Sequence, residues 1–243
     1  MVETTVSRAV YFGNTPVEIK KSDLLYPLIL HSMSSPPESL TLVGNTALLR
    51  SIKVTFLGKQ KPSSNELYWA RALAHEVTSI DEVLGIVADE GISSAAFQGT
   101  NDEIKRLFGL NFGKTVLVAK PGDLEQSLVE ATTLINCVLQ VGGLVITEPR
   151  TAALSANEAH ERCRQLAVAL SEYTLIIGKQ PEEQAEVLAT SAAEACRGVL
   201  CLSFPALDDI EPSEVYASRL SGSILVQGAD SFREVISFSW KAQ

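Results

Sequence analysis

Lys59, Lys61 and Ser63 stand close together in the string Gly58-Lys59-Gln60-Lys61-Pro62-Ser63, a set of residue types suited to holding an anion. The ammonium groups supply charge. A serine ahead of an amphipathic run caps a helix, and the neighbouring free N–H groups of that first turn attract phosphate. The plain alternative is an ordinary capped helix with solvated lysines. Lys114 opens a β-rich run in Gly113-Lys114-Thr115 and reads either as a further ligand or as a surface lysine. Arg162 and Arg164 are candidates for a nucleic-acid strand or a protein partner, while Glu158, His160 and Glu161 beside them allow simple pairing along a helix surface.

Catalytic chemistry finds little support. His31, His75 and His160 have no recognisable nucleophile or orienting acid beside them. Asp89-Glu90 is an acidic pair, but adjacent residues at a strand end point to opposite sides, which suits a solvated loop better than a general acid and base. Cys137, Cys163, Cys196 and Cys201 show neither a C-x-x-C spacing nor a histidine pair at zinc spacing, so neither a metal nor another cofactor is expected. Cys137 and Cys196 are expected on apolar faces of helices and Cys201 in a strand, acting as small hydrophobes. The first two should then resist modification in the folded state. An enzyme is not expected.

These residues need elements to position them. Val54–Leu57, Leu84–Val87, Thr115–Val118, Leu144–Thr147, Thr174–Ile177 and Val199–Leu202 are near-continuous apolar runs, as strands covered on both faces require. Amphipathic stretches separate them. Leu124, Leu128, Ala131, Ile135 and Val138 follow helical spacing, as do Ala185, Leu188, Ala189, Ala192, Ala193 and Cys196. Strand, helix, strand at this rhythm means right-handed crossovers, and hence an α/β fold with a doubly wound, mainly parallel, Rossmann-like sheet. Residues 1–50, punctuated by Pro36-Pro37, read as an extended lead-in packed on a main domain over 51–243. Val235–Trp240 is expected as a last strand.

With 46% hydrophobic residues the 243-residue chain can bury a full core. A net charge of −9 means that any nucleic-acid site is a local basic patch on an acidic body. The start, with Glu3 in place of an apolar run, does not read as a signal peptide, so a cytoplasmic location is expected. Leu134–Ile146 is too short, and too interrupted by Asn136, Gln140, Gly142 and Gly143, to cross a bilayer. No membrane association is expected.

One series of spaced elements is more specific. Tyr26-Pro27, Pro36-Pro37, Leu40, Gly44-Asn45, Leu48-Leu49, a strand, Gly58 and Pro62-Ser63 follow one another, then Gly91-Ile92, Ala95-Ala96, Gly99, Gly113-Lys114-Thr115, Gly143 to Glu148-Pro149, Ala167 to Ser171 and Gly228-Ala229. In order and spacing this resembles the DprA/Smf family of DNA-processing proteins, from about Tyr26 to Ala229. The resemblance implies an extended Rossmann fold, binding of single-stranded DNA through the loops that hold Gly58, Lys59, Lys61, Ser63 and Gly91, a recombinase as partner, and a homodimer. The apolar segment Ile224–Val226, with Phe238 and Trp240, is a surface that pairing would cover.

The chain departs from the family pattern where phosphate would be met. Gln60 stands where the family has arginine, and Val87-Ala88-Asp89-Glu90-Gly91 replaces a glycine-rich loop whose arginine becomes Glu90. Arg162-Cys163-Arg164 stands for the family's Arg-Asn-Arg with one extra residue before Ser171, and Gln180–Glu183 lacks its Ser-Gly-Ser turn. DNA binding weaker than the family's is therefore expected. The alternative is a derived relative that no longer binds DNA and serves as an interaction or oligomerisation module. A phosphoribohydrolase of related fold would need a Pro-Gly-Gly-x-Gly-Thr loop, for which Lys120-Pro121-Gly122-Asp123 is a poor substitute.

Overall fold

The computed structural model describes residues 15–59, 61–88, 91–106, 114–121, 124, 134–149, 154–178, 187, 190–192, 195–202 and 223–237. The strands are β1 (Val17–Lys20), β2 (Ser39–Gly44), β3 (Ile52–Gly58), β4 (Val83–Val87), β5 (Thr115–Ala119), β6 (Leu144–Thr147), β7 (Tyr173–Ile177), β8 (Gly198–Leu202) and β9 (Ile224–Val226). The helices are α1 (Ser64–Ser79), α2 (Ser93–Arg106), α3 (Leu134–Gln140), α4 (Ala156–Leu170) and α5 (Ala229–Ser237), with short 3-10 turns at Leu28–Ser32 and Thr46–Arg50.

All nine strands join one sheet in the order β1-β2-β6-β5-β4-β3-β7-β8-β9. From β6 to β9 every pairing is parallel, which is the doubly wound sheet expected from the apolar runs. The lead-in goes further than packing on that sheet. Its β1 and β2 extend the sheet as antiparallel strands, with Leu42 opposite Ile146.

One face carries α1, α2, α3 and α5 over Phe56, Ile86, Leu117, Val145 and Leu175. The other carries α4 and the lead-in residues Tyr26 and Leu30 over Leu57, Val87, Val118 and Ile146. α1 forms because Ala70, Leu73, Ala74 and Val77 recur at helical spacing and all are buried. It crosses α2 so closely that a Cβ on Gly99 would collide with the Arg71 carbonyl. Among the described residues no helix is long and apolar enough to cross a membrane.

Two expectations are corrected. Val235–Ser237 belongs to α5 rather than to a strand, because Phe232 and Ile236, one turn apart, bury together against the sheet, where Phe232 meets the Phe56 ring edge-on at 6.0 Å. Phe238 and Trp240 lie outside the described residues. Cys196 is not on an apolar helical face. It is exposed, in a left-handed conformation (φ 52°) at the turn into β8, whereas Cys163 and Cys201 are buried and burial pushes the Cys201 thiol up to about 11. Native labelling with an alkylating reagent is thus expected to modify Cys196 fast and to spare Cys163 and Cys201 until unfolding, and Cys196→Ser should remove the fast phase. Fast loss of the Cys201 thiol would contradict this.

Candidate nucleic-acid interface

In an open α/β sheet the place for a ligand is the crevice beyond the carboxyl ends of the strands where the winding reverses. Here β3 leads through α1 toward β4 on one side, while its other neighbour, β7, is reached by the long crossover through α4. The reversal therefore falls between β3 and β7. Gly58 ends β3 with its Cα against Ile92 at the α2 start, so that any Cβ there would come within 2.9 Å of that side chain. Lys59 follows it, Lys61 is exposed, and Ser63 is the N-cap of α1. Gly91 stands at the neighbouring turn into α2. Five of the sequence candidates, Gly58, Lys59, Lys61, Ser63 and Gly91, thus gather at one edge. Gln60, Asp89, Glu90 and the segment 180–183 lie outside the described residues.

A residue not foreseen as part of this edge holds its centre. Glu66 closes a capping box: its Oε2 accepts from the Ser63 backbone N–H at 2.5 Å, and the Ser63 hydroxyl accepts from the Glu66 N–H at 3.3 Å. Its other oxygen, Oε1, receives the Lys59 ammonium at 3.0 Å. The Glu66 side chain is only 4% exposed, whereas that of Lys59 is 40% exposed. Beyond β7, Gly178 at φ +78° comes so near that a Cβ there would collide with the same carboxylate. The Ser-x-x-Glu spacing announces the cap. Only the placing of β3 and β7 side by side brings Lys59 and Gly178 to it.

Three other candidates stand apart from this cluster. Lys114 precedes β5, at the amino end of the sheet and so opposite to Lys59, and pairs with Asp81 at 3.0 Å. Arg162 is on α4, across the sheet from α1, and its Nε donates to both oxygens of Glu148 at 2.9 and 3.1 Å, with both side chains largely buried. Burial pushes Glu148 above the ordinary carboxylate value, against the opposing pull of Arg162. The same pair flanks Tyr26, whose hydroxyl donates to the Pro37 carbonyl at 2.7 Å and is pushed up to about 12, mainly by burial. Arg164 is 2% exposed, enclosed beneath the sheet. Arg162 is engaged by Glu148 and Arg164 is enclosed, so both side chains are directed into the interior.

A separate groove of about 530 Å³ at the amino edge is lined by Tyr26, Leu28, Arg50 and Arg197 among others. Leu24, Leu25 and Leu28 nearby are exposed. Among the described residues no group of three or more His, Cys, Asp or Glu side chains is placed to hold a metal ion.

The model of the DNA recombination-mediator protein A family matches residues 18–222. The chain belongs to that family. Solved structures agree on the fold of this recombination-mediator family member. DNA processing protein A from Helicobacter pylori, described for its single-stranded DNA binding mode, superposes with a TM-score of 0.69 at 17% identity, covering 93% of this chain and 97% of that one. DNA processing protein A from Streptococcus pneumoniae gives 0.70 at 20% identity, over 92% of this chain and 75% of that one. A molybdenum cofactor binding protein from Rippkaea orientalis gives 0.52 at 14% identity, over 78% and 97%. A comparison with curated proteins finds no significant match.

Proposed function

We propose that this recombination-mediator family member binds single-stranded DNA weakly along the carboxyl edge of its sheet, through Lys61, Lys59 and the N–H groups around Ser63 and Gly91, and passes that strand to a recombinase. The reading makes it a mediator rather than an enzyme. The observation that carries it is the gathering of Lys59, Lys61 and the Ser63 cap at the winding reversal of a chain belonging to this family. The DNA-binding mode described for the Helicobacter pylori protein supports it. Among the described residues at the winding reversal the cations are Lys59 and Lys61, so few phosphates are neutralised there. Titration with single-stranded and duplex DNA over a range of salt is expected to favour the single strand, with a shallow slope of about 0.7 per phosphate contact. Lys59→Ala with Lys61→Ala should abolish binding. Undiminished affinity in that double variant would move the site elsewhere.

A second reading is an interaction or oligomerisation module that has given up DNA. What favours it is the engagement of Lys59 by Glu66 and of Arg162 by Glu148. We also read the chain as a homodimer. Its support is the sheet-edge strand β9, where Ile224 is 43% exposed. A concentration-independent monomer mass by light scattering would overturn it.

A further inference from the structure

We propose that Glu66 is an internal counter-anion that sets how strongly the carboxyl edge takes phosphate, by occupying the amino terminus of α1 and neutralising Lys59. This rests on the reading of that edge as the DNA site. The first turn of a helix favours one negative group, and here the Glu66 carboxylate already holds the Ser63 N–H at 2.5 Å. Its second oxygen takes the Lys59 ammonium at 3.0 Å. The carboxylate is buried, and Gly178 leaves room for it where any other residue would collide. Three separate elements, the end of β3, the cap of α1 and the end of β7, are therefore fitted around a single negative charge. An incoming phosphate meets Lys59 with its charge already matched and a fixed carboxylate beside it.

The cap itself does not require that charge. Glutamine serves at the same position of a capping box, because its amide oxygen accepts the same N–H. What glutamate adds is repulsion of a bound anion and capture of the lysine. Glu66→Gln separates the two roles.

The test is titration of the parent, Glu66→Gln, Glu66→Asp and Lys59→Ala/Glu66→Gln with an oligothymidylate and, separately, with inorganic phosphate. Circular dichroism and thermal melting confirm that each variant is folded. Glu66→Gln is expected to bind the oligonucleotide about tenfold more tightly, with a salt slope steeper by about 0.7 as Lys59 is released to a phosphate. It should also show saturable phosphate binding stronger than the parent's, and Lys59→Ala should remove both gains. Glu66→Asp keeps the charge and should stay near the parent. If Glu66→Asp gains as much as Glu66→Gln, the effect comes from the altered cap and the proposal is overturned. If the parent binds the oligonucleotide and Glu66→Gln binds it no better, the counter-anion role is lost while the DNA reading stands. If Glu66→Gln gains phosphate binding but no variant takes the oligonucleotide, the counter-anion role holds and the DNA reading falls. No gain with either probe overturns the proposal.

Discussion

Arg162→Ala is expected to destabilise the fold by about 3 kcal/mol, because it strips a largely buried carboxylate of its charged partner. Glu148 sits at the carboxyl end of β6, with Arg162 donating to both of its oxygens, so alanine leaves an uncompensated anion beneath the lead-in. At the size of this domain that corresponds to a drop in melting temperature of roughly 9 °C. Replacing both partners by apolar residues of similar bulk, as in Glu148→Leu/Arg162→Met, should recover much of the loss, since no charge then remains buried. Single-stranded DNA affinity, measured below the melting range, should stay close to the parent's.

The pH dependence has a definite sign. The folded-state value of Glu148 is raised by burial, so between that value and the ordinary carboxylate range the folded chain binds more protons than the unfolded one. Stability from this group therefore rises as pH falls through the raised folded value and is lost again as pH climbs back. Without Arg162 the folded value moves higher still. The deficit of Arg162→Ala should consequently shrink in mildly acidic buffer, in parallel denaturant melts at neutral and acidic pH. A deficit that grows with acid would point to the charged Glu148 as a net stabiliser.

Gly178→Val is expected to cost about 3 kcal/mol just beyond the carboxyl end of β7. A β-branched residue at φ +78° bears a backbone penalty of roughly 2 kcal/mol. Its Cβ would also strike the Glu66 carboxylate, and loss of the capping box adds about 1 kcal/mol. Combining Gly178→Ala with Glu66→Ala relieves the collision but not the backbone conformation, so that pair should be less destabilised than the two single effects summed. Equilibrium denaturation of the four proteins gives the coupling. Simple additivity would show that Gly178 and Glu66 do not meet.

How far the sequence could be read differed by element, and the reasons are physical. Strands such as Val83–Val87 and Thr115–Ala119 are wholly buried, so their apolar character is continuous and needs no partner to interpret. The tail misled because Ile236-Ser237-Phe238-Ser239-Trp240 alternates apolar and polar residues as a strand does. The deciding contact, Phe232 on Phe56, joins distant parts of the chain. β2 was hidden for a similar reason: its antiparallel partner β6 is remote in sequence, and Pro36-Pro37 made the whole lead-in look like connecting chain. At the candidate site the Ser63 cap was visible locally. The partners of Lys59, Arg162 and Lys114 were not, because Glu66, Glu148 and Asp81 come within reach only through helix phase and strand order. Charge type alone therefore overcounted the basic groups available to a ligand.

The strand order also governs the schedule on which the chain can fold. β3, near the middle of the sheet, and β2, beside its edge, are among the first strands made. Yet β2 finds its inner neighbour only when Leu144–Thr147 has emerged, and β3 gains its second only with Tyr173–Ile177. Such distant pairings must pay loop closure before they gain any contact, which slows folding. A nascent chain halted before Leu144 would present β2 with an unpaired inner edge, of the kind that invites association with other chains.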